Sequence, residues 1–545
     1  MKRLLGIGLL VILMTMFLPA WAETVYQVNG QLEPKTQAEM QQMMKQAELD
    51  YFSDAALAAK MKAELRTEKM VLSGREQTVY TLTHDGHSIK FLMDIKSPDA
   101  NGYPLYITLH GGGGAGKDDN DQQWNTMFYY YSQSVDHGIY IAVRGITDTW
   151  DMHFQRESYP LYDRLIQMMI RLYQADPNRV YLLGFSAGGD GVYQIAPRMA
   201  DRFAAANMSS GHPNTISLLN LANLPFSIQA GVRDYLSEEA LRCVRAAEFE
   251  QILSDYHDLY EYGYAHQVLI RVPSGHVFND RTSVDTDGNE ELSEVLTDPT
   301  AYANPAVVKP LLNRFLELYE KYVNGAEEGN VTALSYYEEE DDEEFSTQIR
   351  RALAQEFLFD TMEVNGNAVD YVNRFKRNPV PPLIVWDLET RADSRKMNSF
   401  YWLSADTSVN KGTIVAVSPE KNHITLIPKG LNGDFSILVN PMMTDVSRPI
   451  QIKTPEGTFL VRVNPSMEML QKSLRLTGDP CLVWVAEISY RDLIGGKLQP
   501  YVEKTPDLPQ TGDAWPLAGW MLAAGTAASF MLGLHFLKKL TRPDR

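Results

Sequence analysis

A serine stands between glycines in Gly184-Phe185-Ser186-Ala187-Gly188, and Gly189 follows at once. The G-x-S-x-G spacing suits a nucleophile, because the glycines allow a turn tight enough to lift a hydroxyl above a sheet edge. Residues 179–183 before it read as a buried strand, and a helix-compatible run starts near Asp190. A serine hydroxyl is a weak nucleophile, so it needs a base, and the base needs an acid to orient it. Among the later histidines, His257 lies in a helical run and His266 starts a strand, whereas His276 follows strand 267–272 through Pro273-Ser274-Gly275. His276 is therefore the expected base. Asp234 lies just beyond the apolar strand 226–231 and is the expected acid, its competing role being a helix N-cap before Ser237 and Glu238.

An acyl-transfer site also needs backbone N–H groups for the oxyanion. His110-Gly111-Gly112-Gly113-Gly114 directly follows the apolar strand 103–109. Gly112 or Gly113 is expected to supply one donor, and Ala187, the residue after the nucleophile, the other. Trp150 and His110 are candidates for the substrate pocket, with core packing an even alternative for Trp150 and membership of the oxyanion loop the main reading of His110. Tyr129, Tyr130 and Tyr131 are open in the same way. In the expected reaction Ser186 attacks an acyl carbonyl and His276 takes its proton. Asp234 steadies the imidazolium, and water then releases the acyl group. No metal or cofactor is required. Asp285, Asp287, Asn289 and Glu291 alternate as in a calcium loop, but the glycine and terminal glutamate miss the EF-hand positions, so a plain acidic loop is expected.

The elements around these residues alternate in type. Strands 77–83 and 88–95 flank Asp85-Gly86, a hairpin signal. Strands 103–109, 138–143, 180–184, 203–208, 226–231 and 266–272 then alternate with helical patterns such as 159–174 and 237–260, which implies a mostly parallel sheet with helices on both faces. Residues 36–69 are expected to form one or two helices, with strands from about Val71. Beyond an acidic stretch at 338–344, read as a solvated linker, residues 379–500 carry eight short strand patterns and suggest an all-β module.

Residues 76 to about 320 resemble secreted α/β-hydrolases of the polyhydroxybutyrate depolymerase and feruloyl esterase type, and the prolyl-oligopeptidase-like group. The match rests on His110–Gly114, Gly184–Gly189, Asp234 and Ser274-Gly275-His276. It implies an α/β-hydrolase fold over 76–323 and an ester substrate, drawn from a plant or cell-surface polymer. Those families often carry H-G-C-G-Q where this chain has H-G-G-G-G. A serine peptidase shares the same triad, and a surface adhesin on a decayed hydrolase fold is the non-enzymatic alternative.

Residues 1–22 read as a secretory signal, with Lys2 and Arg3, an apolar stretch and Ala20-Trp21-Ala22 as cleavage site. Residues 23–75 form an N-terminal helical segment, 324–378 an acidic linker with helical patches, and 501–512 a linker. Leu508-Pro509-Gln510-Thr511-Gly512 with the apolar run and basic tail of 513–545 resembles an L-P-x-T-G cell-wall sorting signal. That resemblance implies a transmembrane helix before sorting, cleavage by sortase after Thr511, and attachment to peptidoglycan in a Gram-positive wall. A net charge of −19 argues against nucleic acid as a partner. Two cysteines, Cys243 and Cys481, exclude a disulfide framework and read as free thiols, one bridge between them staying open.

Overall fold

The computed structural model describes residues 24–29, 36–212, 216–231, 242–272, 276–277, 292–295, 368–392 and 394–501. The signal segment, Asp234, the run from Asp285 to Glu291, the 338–344 acidic stretch, the Leu508–Gly512 motif and the apolar segment after it lie outside the described residues. Among the described residues no helix is long and apolar enough to cross a membrane.

The chain opens with strand β1 (Val25–Val28) and helices α1 (Gln37–Ser53) and α2 (Ala55–Ala63). Thr36 and Glu39 form a capping box on α1, and Asp54 accepts the Leu57 N–H to cap α2. Then follow β2 (Leu65–Leu72), β3 (Arg75–His84), β4 (His87–Ile95), β5 (Tyr103–Leu109), α3 (Lys117–Tyr130), β6 (Ile139–Val143), α4 (Ser158–Tyr173), β7 (Ala175–Phe185), α5 (Ala187–Arg198), β8 (Ala205–Ser209), β9 (Phe226–Gly231), α6 (Arg242–Tyr260), β10 (His266–Val272) and β11 (Leu292–Val295).

Strands β2 to β11 form one sheet in the order β11-β10-β9-β8-β7-β5-β6-β4-β3-β2. The run from β6 through β5 to β10 is parallel, and β2, β3, β4 and β6 pair antiparallel. Asp85 and Gly86 both have positive φ, 50° and 82°, as the turn between β3 and β4 requires. From β5 the chain moves outward to β6, then returns across β5 to β7. The loops after β5 and β7 therefore diverge and open a crevice at the carboxyl ends of the strands. A hairpin, this exchange and a nucleophile turn after β7 define an α/β-hydrolase fold.

Two sequence expectations need correction here. Residues 65–70 are strand, not helix: β2 pairs with β3 from Leu65 opposite Leu82 to Leu72 opposite Arg75, and that pairing overrides a charged, helix-favouring composition. The C-terminal region is strand-rich but not all-β. It contains α7 (Ala368–Val372), β12 (Leu383–Asp387), β13 (Ser399–Phe400), β14 (Leu403–Ala405), β15 (Thr413–Val417), β16 (His423–Lys429), β17 (Phe435–Val439), β18 (Ile450–Thr454), β19 (Gly457–Val463), α8 (Met467–Thr477), β20 (Ala486–Ser489), α9 (Tyr490–Ile494) and β21 (Gln499–Pro500). Its larger sheet runs β12-β15-β16-β18-β19-β1-β21, so β1 (Val25–Val28) joins it from before the α/β sheet. The smaller sheet is β13-β14-β17-β20. Ser466 caps α8, Leu470 and Leu474 face inward, and Gly478 ends the helix at φ 64°.

One apolar core runs without interruption from Leu105, Ile107 and Leu182 to Ile437, Val485 and Ile488. Buried ion pairs line the same junction. Arg395 lies 2.9 Å from Asp163 and 3.0 Å from Asp201, and Arg377 lies 2.8 Å from Asp479. Arg202 lies 3.3 Å from Asp163 and 3.4 Å from Asp479. Removing one partner strands the other charge out of water. Arg395→Ala should therefore lower stability by about 3–5 kcal/mol, against about 1 kcal/mol or less for the exposed Arg448→Ala. Urea unfolding midpoints of the two variants check this.

Candidate active site

Strand β7 ends by delivering Ser186 into a positive-φ backbone conformation, φ 57° and ψ −124°, and α5 starts with the next residue. Such a conformation in a non-glycine residue costs about 1–3 kcal/mol and has to be held by its surroundings. The Ser186 N–H donates to the Ser209 carbonyl at 2.9 Å. The flanking glycines are needed for close approach: a Cβ on Gly184 would lie 2.2 Å from the Gly188 oxygen, and one on Gly188 would lie 2.0 Å from the Leu109 oxygen.

His276 sits opposite. Its Nε2 lies 2.8 Å from Ser186 Oγ, within the range for a serine donating to its base. The Ser210 hydroxyl, itself buried, donates to the His276 carbonyl at 2.8 Å, and the Phe185 ring lies 5.4 Å from the imidazole. The structure thus brings two of the three expected triad members together across 90 residues of sequence. Asp234, the third, falls outside the described residues.

The loop between β5 and α3 carries the glycines. The Gly113 N–H donates to Asn120 Oδ1 at 2.9 Å, and the Gly114 N–H donates to the Asp148 carbonyl at 2.9 Å. Gly113 is thereby committed to Asn120, which leaves Gly112 and Ala187 of the three expected donors. Among the described residues no hydrogen bond takes up either of these amides. Ala187 opens α5, where the first N–H groups have no partner within the helix. Asn120 also donates to Ala115 O at 3.1 Å and Asp148 Oδ1 at 3.2 Å, so one buried side chain curls the whole loop. Sequence reading missed Asn120, because nothing local marks it.

His110 does not line a pocket. It is fully enclosed, accepts the Gly145 N–H on Nε2 at 3.0 Å and donates from Nδ1 to the Gly111 carbonyl at 2.6 Å. Burial, then the neighbouring His153, holds it well below the ordinary histidine pKa. Trp150 is 54% exposed, rests edge-on against Phe154 and passes its backbone beside Gly113, so it borders the crevice and not the core. Tyr131 is fully buried beneath the elbow, donating to the Gly184 carbonyl at 3.1 Å and lying 2.9 Å from the Ser209 hydroxyl. Cys481 is a free thiol that burial, then Asp479, pushes up to about 11, which makes it a poor nucleophile.

Asp190, four residues after Ser186, was not anticipated from sequence. Its carboxylate accepts the His212 N–H, and burial pushes its pKa up to about 6 against the pull of that bond and of Arg242, His212 and His276. A raised acid binds more protons folded than unfolded, so stability falls as pH climbs from about 4 to 6. The gap of about two units corresponds to about 3 kcal/mol. Asp190→Asn should be more stable than the parent at pH 8 by up to about 3 kcal/mol, with the advantage gone by pH 4, as read by unfolding at both pH values.

No protein-family model matches the chain, and no curated protein sequence matches it. Among solved structures it is similar to a thermostable esterase at 19% identity, covering 47% of this chain and 64% of that one, with a TM-score of 0.28. The chain thus spans less than two thirds of that esterase's length. It is also similar to the Bacillus cereus carboxylesterase at 18% identity, covering 35% and 88%, with a TM-score of 0.27. An acetyl xylan esterase from Aspergillus awamori shares 12% identity, covering 39% and 93%, with a TM-score of 0.25. The fold assignment stands on strand order and on the elbow at Ser186.

Proposed function

We propose that this protein is a serine hydrolase that cleaves carboxylic esters through an acyl-enzyme. The observation that carries the reading is the 2.8 Å contact between Ser186 Oγ and His276 Nε2 at a strained strand-to-helix turn. Ser186 attacks the carbonyl while His276 takes its proton. The Gly112 and Ala187 amides hold the oxyanion, and Asp234 orients the imidazole. His276 then protonates the leaving alcohol, and water repeats the sequence to free the acid. Trp150 borders the bound ester. The chain is read as exported, from residues 1–22, and joined to peptidoglycan by sortase after Thr511, from residues 508–545, a reading supported by sequence alone.

The test is hydrolysis of p-nitrophenyl acetate and butyrate by the full chain, beside Ser186→Ala. Turnover should fall by at least about 10³-fold in the variant, since removing a triad member leaves only the oxyanion hole and binding. Labelling by a fluorophosphonate without ester turnover would move the reading to a peptidase. Neither turnover nor labelling would leave the non-catalytic adhesin.

A further inference from the structure

The loop after β6 grips the oxyanion loop along its length. Gly145 N–H reaches His110 Nε2, the Asp148 carbonyl takes the Gly114 N–H, and the Trp150 backbone presses on Gly113. His153, on the same loop, closes the grip. Its Nε2–H donates to the His110 carbonyl at 2.8 Å, and its ring stands edge-on to His110 with centroids 4.8 Å apart.

The donor chemistry fixes both tautomers. A backbone N–H can only donate, so His110 Nε2 bears a lone pair and its proton is on Nδ1. A carbonyl can only accept, so His153 carries its proton on Nε2, and its buried Nδ1 has no partner. Burial holds His153 down to about 4, so neither ring is charged at neutral pH.

His153 also touches the nucleophile's helix. A Cβ on Gly191 of α5 would lie 2.8 Å from His153 Cβ, and one on Gly188 would lie 2.8 Å from the His110 carbonyl that His153 holds. His153 therefore spans the two segments that carry the oxyanion donors, its ring against the loop of Gly112 and its Cβ against the helix that Ala187 opens. We propose that His153 is a positioning residue that sets the separation of the two oxyanion donors by clamping the His110 carbonyl against the start of α5. This rests on the hydrolase reading above. His153 never meets substrate, since it is fully buried, and acts only through His110.

The clamp should act in the transition state, when charge reaches the oxyanion, and little in substrate binding. His153→Leu keeps the bulk and loses the donor. Its kcat for p-nitrophenyl butyrate should fall about 10–100-fold, short of the 10²–10³ that losing an oxyanion donor outright costs, with KM within about twofold. His153→Gln, whose amide N–H can reach the same carbonyl, should recover most of that loss. An unimpaired His153→Leu, a loss confined to KM, or equal damage from Leu and Gln would overturn the proposal. Nitrogen-15 spectra of histidine-labelled protein, assigned against His153→Gln, give a readout independent of turnover. They should show a neutral Nε2–H tautomer at His153 that does not titrate between pH 5.5 and 8, and a titrating ring would overturn the clamp. A wild type that neither hydrolyses nor labels would sink the hydrolase reading, and the tautomer would still judge the clamp.

Discussion

Three backbone segments meet at the elbow with no side chain between them. The end of β7 touches the first turn of α5 at Gly184 and Gly188, the end of β5 touches it at Leu109, and the turn after β8 touches it at Gly189 and Gly211. This contact sets where Ser186 and the glycine loop after β5 stand relative to one another. It also holds Ser186 in a conformation that an unconstrained chain would leave. Beneath it lies a polar floor: Asn207 Nδ2 donates to Ser209 Oγ at 3.0 Å, Gln229 Nε2 donates to Asn207 Oδ1 at 3.3 Å, and Tyr131 joins from the side. All four side chains are fully buried. Satisfied networks in a low-dielectric interior are stiff, and this one replaces the deformable apolar packing that would otherwise support the turn.

What the sequence revealed, and what it hid, follows from how far each interaction reaches. The elbow, the Asp85-Gly86 hairpin and β10 are written in adjacent residues, and each appears where its local pattern places it. His276 was legible because it follows a strand end, although its partner is 90 residues away. Asn120, His153 and Asp190 were not, since their meaning lies in the backbone atoms they face, and those come from other segments. The choice between Gly112 and Gly113 was hidden for the same reason: an asparagine seven residues on takes the Gly113 N–H. The charges of β2 read as helix because its partner strand was not yet in view. Helix α8 was missed although Ser466, the Met467–Leu470–Leu474 stripe and Gly478 spell its cap, face and end.

The strand-rich region braces the α/β-hydrolase fold. Arg171 from α4 donates to the Asp54 carbonyl at 2.7 Å and lies over the Tyr51 ring at 4.4 Å, which fixes the N-terminal helices to the sheet. Gln471 of α8 reaches Asp50 at 3.1 Å, so the same helices also hold the second region. Charged side chains at the junction are enclosed and paired. Such pairs add less net stability than apolar packing would, but they tolerate few alternative arrangements of the two halves.

The place of β1 has a consequence for how the protein is made. Asn29, at the end of the first strand, bonds across 435 residues to Asn464, and Tyr26 faces Pro500. Strand β1 must therefore wait, without its sheet partners, until almost the whole described chain has followed it. Closing so large a loop is slow, because its entropy is lost before any contact rewards it. The larger sheet therefore closes only when residues 25–28 and 499–500 stand side by side.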